Sequence, residues 1–271
     1  MTALAVRVAT CAQLPEPDPD AAPLAAALAA GGFTATLAAW DDPAVDWAAP
    51  IPTILRSTWN YPLALPAFEA WLARVAAAAP LFNPLDVVRA NLRKRYLLAL
   101  AARGVPVVPT TLVEPGQACA LTALGAPRVV IKPEVGAGSL DAGVFAADDP
   151  AAAAHLARIT ATRAALVQPY LRSVEGYGER SLVWIDGALS HAVRKSPRFV
   201  GDDERVDGPY PIADDERAVA AAALAPIADR ILYGRVDVAR DDAGQPRVME
   251  LELIEPSLFF ARQPGAAARY V

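Results

Sequence analysis

"GRVDVARDDAGQPRVMELELIEPS", residues 234–257, reads as two strands around the polar turn "DDAGQ", with acids where a buried strand would carry apolar side chains. A turn centred between Ala243 and Gly244 makes Asp237 face Glu250 and Arg235 face Glu252. Side chains alternate along a strand, so Arg235, Asp237, Glu250 and Glu252 share one face. Val236, Val238, Leu251 and Leu253 share the other and supply core; a slip of one residue would bury the acids instead. Half-buried carboxylates are costly unless they are paired or hold a metal. Three carboxylates against one guanidinium form an oxygen-rich cage suited to a hard cation such as Mg²⁺. The competing reading is a salt-bridged face on which Arg235 neutralises one acid.

Toward the N-terminus the chain alternates strand-like and helix-like patterns. Residues 3–10, 33–37 and 53–56 read as strands, and 21–30 and 66–79 as helices, the latter with Phe68, Trp71, Leu72 and Val75 at helical spacing. This predicts a parallel sheet covered by helices, a Rossmann-like α/β unit over 1–84. Residues 86–103 are expected to form one helix closed by Gly104, ahead of the extended "VPVVPTTLV". A strand at 128–133, a glycine-rich loop at 136–138, a helix near 150–162 and a strand at 165–170 complete a small unit over 85–168. Beyond it the pattern turns antiparallel. "RSLVWIDGALSHAVRKS" sets Asp186-Gly187 between two strands. Residues 197–213 read as a polar, Pro- and Gly-rich loop, and a helix at 214–231 leads into the quoted hairpin. The expected class is α/β, with α+β character in the C-terminal unit, 169–271.

Composition excludes several classes. A chain of 271 residues with 54% hydrophobic and 20% charged residues is globular, and a net charge of −5 argues against general nucleic-acid binding. Cys11 and Cys119 show no CxxC spacing, so neither a disulfide framework nor a cysteine metal site is expected, and a cytoplasmic setting follows. Residues 21–40 carry no charge over a length that could span a bilayer. Gly31-Gly32 divides the stretch, however, acids flank it and no basic cluster sets a topology, so a helix followed by a strand is expected rather than a membrane segment. Arg7 inside the first apolar run marks a strand and not a signal peptide.

The hairpin resembles the signature that ends the nucleotide-binding part of ATP-grasp ligases, where an Arg-x-Asp strand pairs with a Glu-x-Asn strand. The resemblance implies an ATP-grasp fold, with an N-terminal Rossmann-like domain, a small central lid and an antiparallel C-terminal domain. Asp237 and Glu250 match the metal-binding acids. Glu252 stands where most members have Asn, and Glu255-Pro256-Ser257 replaces the usual Ser-Pro. Arg235 matches the arginine that faces the reacting carboxyl and its phosphate. Lys94 in "NLRKRYLLALAARGVPVVPT" and Lys132 in "VVIKP" match the two phosphate-contacting lysines. The loop "EVGAGS" offers Gly136, Gly138 and Ser139 as backbone and hydroxyl donors to phosphates, and it lacks the GxxxxGK[ST] pattern of a P-loop. "LVQPYL" is similar to the linker whose backbone, here Gln168, Tyr170 and Leu171, meets the adenine edge. "GERSLVWIDG" makes Glu179 the ribose acceptor, with Glu175 in reserve, and "SHAVRKSP" sets Arg194 and Lys195 near the phosphates.

"ILRSTWNYP", 54–62, crowds Arg56, Ser57, Trp59 and Asn60 just after a strand, where ligands of open α/β sheets bind. With "SHAVRKSP" and "ELELIEPSLF" it resembles the D-cycloserine-forming branch of the family; an aromatic plug between domains is the alternative. The resemblance implies ATP, two Mg²⁺ ions (or Mn²⁺), and transfer of a phosphoryl group to a small substrate's carboxylate, which an amine then attacks. Such chemistry needs positioning and charge neutralisation more than a protein nucleophile. Intramolecular and intermolecular amines both stay open, as do monomer and homodimer. A non-catalytic ATP-binding module, and a kinase or carboxylase on the same fold, are the rivals.

Overall fold

The computed structural model describes residues 4–196 and 205–271. Strands β1 (Leu4–Thr10), β2 (Phe33–Ala39), β3 (Thr53–Ser57) and β4 (Leu81–Phe82) form a parallel sheet in the order β2-β1-β3-β4. Helices α1 (Ala21–Ala30) and α2 (Leu65–Ala78) belong to this unit. Phe68, Trp71, Leu72 and Val75 of α2 are all buried, as their spacing predicts. Their rings continue into a cluster with Trp40, Trp47 and Tyr61.

The single helix expected over 86–103 is two, α3 (Leu85–Asn91) and α4 (Tyr96–Ala102). Tertiary hydrogen bonds break it. The Asn91 side chain leaves the helix to donate to Leu251 O at 2.7 Å and accept from Leu253 N at 2.9 Å, and Lys94 N donates to Glu134 O at 2.8 Å. The break therefore carries Lys94 to the strand that leads into the glycine-rich loop.

The central sheet is antiparallel, β5-β8-β6-β7, from β5 (Thr111–Val113), β6 (Arg128–Pro133), β7 (Gly143–Ala146) and β8 (Ala165–Pro169). Helix α5 (Pro150–Thr160) buries Leu156 and Ile159 against Val129, Ile131 and Val167. The third sheet holds β9 (Glu179–Ile185), β10 (Ala188–Lys195), β11 (Val206–Tyr210), β12 (Tyr233–Arg240) and β13 (Pro246–Glu252), in the order β11-β10-β9-β12-β13. Residues 206–210, expected in a loop, are thus an edge strand; 197–204 lie outside the described residues. Helix α6 (Asp214–Leu224) ends sooner than the pattern suggested, just ahead of Pro226. Val87, Leu97 and Leu100 of α3 and α4 share their core with Val236, Val238, Val248 and Leu251. Among the described residues no helix is long and apolar enough to cross a membrane.

The turn of the last hairpin differs from expectation by half a residue. Asp241 N donates to Gln245 O at 2.9 Å and Arg240 pairs with Pro246, which centres the turn on Ala243. A bulge between Asp237 and Val238 compensates: Val238 pairs with Val248, yet Asp237 pairs with Glu250 and Arg235 with Glu252. Met249 is the extra residue. Without it, Glu250 would fall on the face of Val236, inside the core.

The first and third sheets are joined by polar groups. Asn83 donates through Nδ2 to Tyr233 O at 2.8 Å and Leu253 O at 2.9 Å, and its Oδ1 accepts from Leu232 N at 2.8 Å. The buried Tyr233 hydroxyl lies 3.0 Å from Leu55 O and 2.7 Å from Ile254 O. Asn83→Ala orphans these buried groups and should lower stability by about 1–3 kcal/mol, read as a fall in the chemical denaturation midpoint. An unchanged midpoint would show that the seam does not depend on this side chain.

Candidate active site

A cavity of about 680 Å³ opens where the three sheets meet. The cavity face of β12 and β13 forms one wall, with Arg235, Asp237, Met249, Glu250 and Glu252. Lys132, Val130 and the glycine-rich loop, with Gly136, Gly138 and Ser139, form the opposite wall. The segment from Gln168 to Leu171 closes one end, and residues 13–16 with Trp59, Asn60 and Tyr61 close the other.

The acids of the hairpin are clasped by the hairpin's own Arg235 and by lysines from three other places in the chain. Glu250 accepts from Lys132 Nζ at 2.6 Å and Lys94 Nζ at 2.9 Å. Asp237 receives both Arg235 Nε and Nη2 at 2.8 Å and Lys195 Nζ at 2.9 Å. Arg235 Nη2 also reaches Glu252 at 2.5 Å, and Lys195 pairs with Glu179. Burial would raise the Glu250 carboxyl, but Lys132 and Lys94 outweigh it and hold it below the usual carboxylate range. Arg235 and Lys195 do the same for Asp237. The outer acids behave oppositely. Burial, reinforced by Asp237, pushes Glu179 up to about 7, and burial with the neighbouring Glu252 pushes Glu255 up to about 8. Beside Glu250, Lys94 stays well above the ordinary lysine value although burial opposes its charge.

Among the described residues no three acids converge on one point to hold a metal ion. The sequence pictured Asp237, Glu250 and Glu252 as a cage around a cation. The structure turns each of them onto a lysine or arginine, and the excess negative charge read from the hairpin alone is met by Lys94, Lys132 and Lys195. The donor set still fits a hard divalent ion: three carboxylates on adjacent positions of one face, all bordering the cavity.

The other expected site residues divide. Gln168, Tyr170 and Leu171 line the cavity, although the Gln168 amide is committed to Thr110 Oγ1 at 2.9 Å. Glu179 borders it and Glu175 does not; Glu175 accepts from exposed Arg128 at 2.8 Å and from the Tyr170 hydroxyl at 3.0 Å. Lys195 is inside, whereas Arg194, on the alternate side of β10, pairs with Asp207 at 2.8 Å and sits outside the lining. Trp59 and Asn60 line the cavity; Arg56 and Ser57 do not. Arg56 is 1% exposed, donating to Asp20 at 3.0 Å and to Pro256 O at 2.8 Å, and the Ser57 hydroxyl meets Thr10 Oγ1 at 2.9 Å.

Several contributors had no legible sequence signal. Met249 reaches the cavity because of the bulge. Asp20, fully buried, accepts from three successive amides, Leu258 N at 2.5 Å, Phe259 N at 3.1 Å and Phe260 N at 2.8 Å. It thereby fixes the chain just after the acids of β13. Buried Glu134 is gripped by Arg95 and carries the carbonyl that holds Lys94 N.

Comparison with known proteins agrees with this geometry. Residues 6–83 match the family described as the N-terminal domain of D-cycloserine synthetase DcsG. The cycloserine biosynthesis protein DcsG of Streptomyces lavendulae is 37% identical over 93% of this chain and 92% of its own length. The crystal structure of D-cycloserine synthetase DcsG superposes with a TM-score of 0.88, at 36% identity, over 98% of this chain and 97% of that one. A RimK-domain ATP-grasp protein from Sphaerobacter thermophilus (TM-score 0.70, 20% identity, 97% of each chain) shares the fold. So does the D-alanine–D-alanine ligase of Bacillus anthracis (TM-score 0.68, 15% identity, 98% of this chain and 91% of that one). With the hairpin, the lysines and the cavity in place, the chain belongs to the ATP-grasp ligases, in the DcsG branch, and is an ATP-dependent ligase.

Proposed function

We propose that the enzyme activates the carboxylate of a small amino-acid-like substrate as an acyl phosphate, which an amine of the same molecule captures to close a ring. The observation that carries this reading is the meeting on Glu250 of Lys94 and Lys132, two cations from separate elements, inside one cavity with Arg235. Such an arrangement suits a polyanion whose charge shifts during reaction. The phosphates of ATP would offer Lys94, Lys132 and Lys195 new partners; Asp237, Glu250 and Glu252 are the residues that would hold Mg²⁺, and Glu179 the one that would meet the ribose. Bound there, Mg²⁺ would act as a Lewis acid and template for the phosphates. The exchange leaves the site's charge balanced, since ATP⁴⁻ with two Mg²⁺ is neutral overall.

Arg235 is held in place before any substrate arrives. Asp237 binds its guanidinium through two nitrogens, Glu252 through one, and Nη1 donates to Ser257 O at 3.1 Å. A pre-aimed cation stabilises the charge that develops on the acyl oxygen more than it stabilises the ground state. The attacking amine in this reading is the substrate's own, and the cavity's part is to order it against the activated carbonyl.

Release of ADP and phosphate, measured with a panel of amino acids bearing a second amine, tests the reading. It should require one substrate with both groups; release with no amine-bearing substrate would contradict it. Lys132→Ala should weaken ATP binding roughly ten- to a hundredfold by calorimetry. Arg235→Lys keeps the charge but loses the planar fork. It should lower kcat by about a hundred- to a thousandfold with ATP affinity little changed; near-native turnover would leave Arg235 as a structural bridge.

The ligand-free charge pattern also sets a pH dependence. The folded protein keeps a proton on Glu255 up to about pH 8, whereas the ordinary glutamate value is 4.5. Folded protein thus binds more protons than unfolded chain between these values, so stability falls as pH rises through them. In Glu255→Gln that slope should flatten by on the order of 1 kcal/mol per pH unit, leaving the variant more stable than the parent at pH 8. Parallel denaturation-against-pH curves for the two proteins would remove the buried-acid account.

A further inference from the structure

Glu255 differs from the other buried acids of the described residues. Asp20 has Arg56, Glu134 has Arg95, Glu216 has Arg240 nearby and Asp237 has Arg235. Glu255, 7% exposed, makes no ion pair among the described residues, yet it lines the cavity. The main chain on both sides of it is fixed. Ile254 O accepts from Tyr233, Glu255 O from Trp59 Nε1 at 3.1 Å, Pro256 O from Arg56, and Ser257 O from Arg235. Asp20 then holds the next three amides. In its ionised form a buried carboxyl without an ion-pair partner is unfavourable, and a cation brought beside it would relieve that cost. Without an ion pair, on an anchored main chain and bordering the cavity, it is poised to receive a cation from a ligand.

We infer that Glu255, with the Trp59 and Tyr61 rings that border the same end of the cavity, binds a primary ammonium of the substrate. Aromatic faces beside a carboxylate favour an organic cation over a hydrated metal ion. An amine that attacks an acyl phosphate must be unprotonated, whereas a carboxylate holds an amine best as ammonium. The group at Glu255 is therefore a spectator, separate from the attacking amine. The substrate then carries three groups: a carboxyl near Arg235, an attacking amine, and an ammonium fixed at Glu255. This rests on the ligase reading above and names the residue that selects the substrate by its ammonium.

The test is binding of D-cycloserine, and of isoxazolidin-3-one (the same ring without the amino group), to the ADP·Mg²⁺-loaded enzyme by calorimetry, with D-alanine against propionate as a second pair. The wild type should prefer the amino compound of each pair, and Glu255→Gln should shrink that preference by roughly ten- to a hundredfold, with ADP·Mg²⁺ affinity unchanged. A preference that survives in Glu255→Gln overturns the inference. So does a rise in the Mg²⁺ requirement of the variant, which would make Glu255 a metal ligand. If D-alanine discriminates through Glu255 while D-cycloserine does not bind, the ammonium site stands and ring closure falls; if neither pair discriminates in the wild type, the ammonium site itself falls.

Discussion

Charges buried on one face of a hairpin must be neutralised at all times, with or without ligand. Asp237, Glu250 and Glu252 cannot stand alone against the apolar reverse face of β12 and β13, where Val236, Val238, Leu251 and Leu253 form the core. The ligand-free protein answers with Lys94, Lys132, Lys195 and Arg235. These cations come from the α3–α4 break, β6, β10 and β12, so one electrostatic requirement ties the central and C-terminal sheets together. Removing one partner of such a set costs more than the pair itself contributes, because a charge is left buried. The same set makes the site responsive. A ligand that brings both phosphate and divalent metal offers every member a new partner at once.

A second constraint acts behind the site. Residues 254–260 carry Glu255 and Ser257 into the cavity. Trp59, Arg56 and Asp20 of the N-terminal domain hold Glu255 O, Pro256 O and the amides of 258–260. Tyr233, Arg235 and His191 of the C-terminal domain meet Ile254 O, Ser257 O and Leu258 O. Asp20 and Arg56 are the centre of this anchorage, a buried pair whose ligands are amides and a carbonyl of the distant segment. Arg56, expected from sequence to touch substrate, instead supports the segment that borders the cavity. The polar, aromatic crowding of "ILRSTWNYP" has two readings, and the residues divide between the places they require: Trp59 and Asn60 border the cavity, while neighbouring Tyr61 joins the Trp40, Phe68 and Trp71 stack.

The legible parts of the sequence were those with a short period. Alternation along 233–253 gave the face shared by Arg235, Asp237, Glu250 and Glu252, and helical spacing gave the buried side of α2. The illegible parts depended on tertiary contacts. Nothing local to 86–103 announces that Asn91 will bond to β13 and break the helix, since 96–102 are good helix formers. The turn was misplaced by half a residue, and a bulge at Met249 that no composition signal marks returned the acids to the expected face. Glu175 and Glu179 could not be separated by spacing; the pairing of Arg128 and Tyr170 with the former separates them.

The central claim is that the lysines and acids of the cavity exchange each other for phosphate and metal. A crystal structure with a non-hydrolysable ATP analogue and Mg²⁺ tests it most directly. The account predicts Lys94 and Lys132 on phosphate oxygens, with Asp237 and Glu250 on the metal at about 2.0–2.1 Å. A bound nucleotide with both lysines still clasping Glu250 would contradict it.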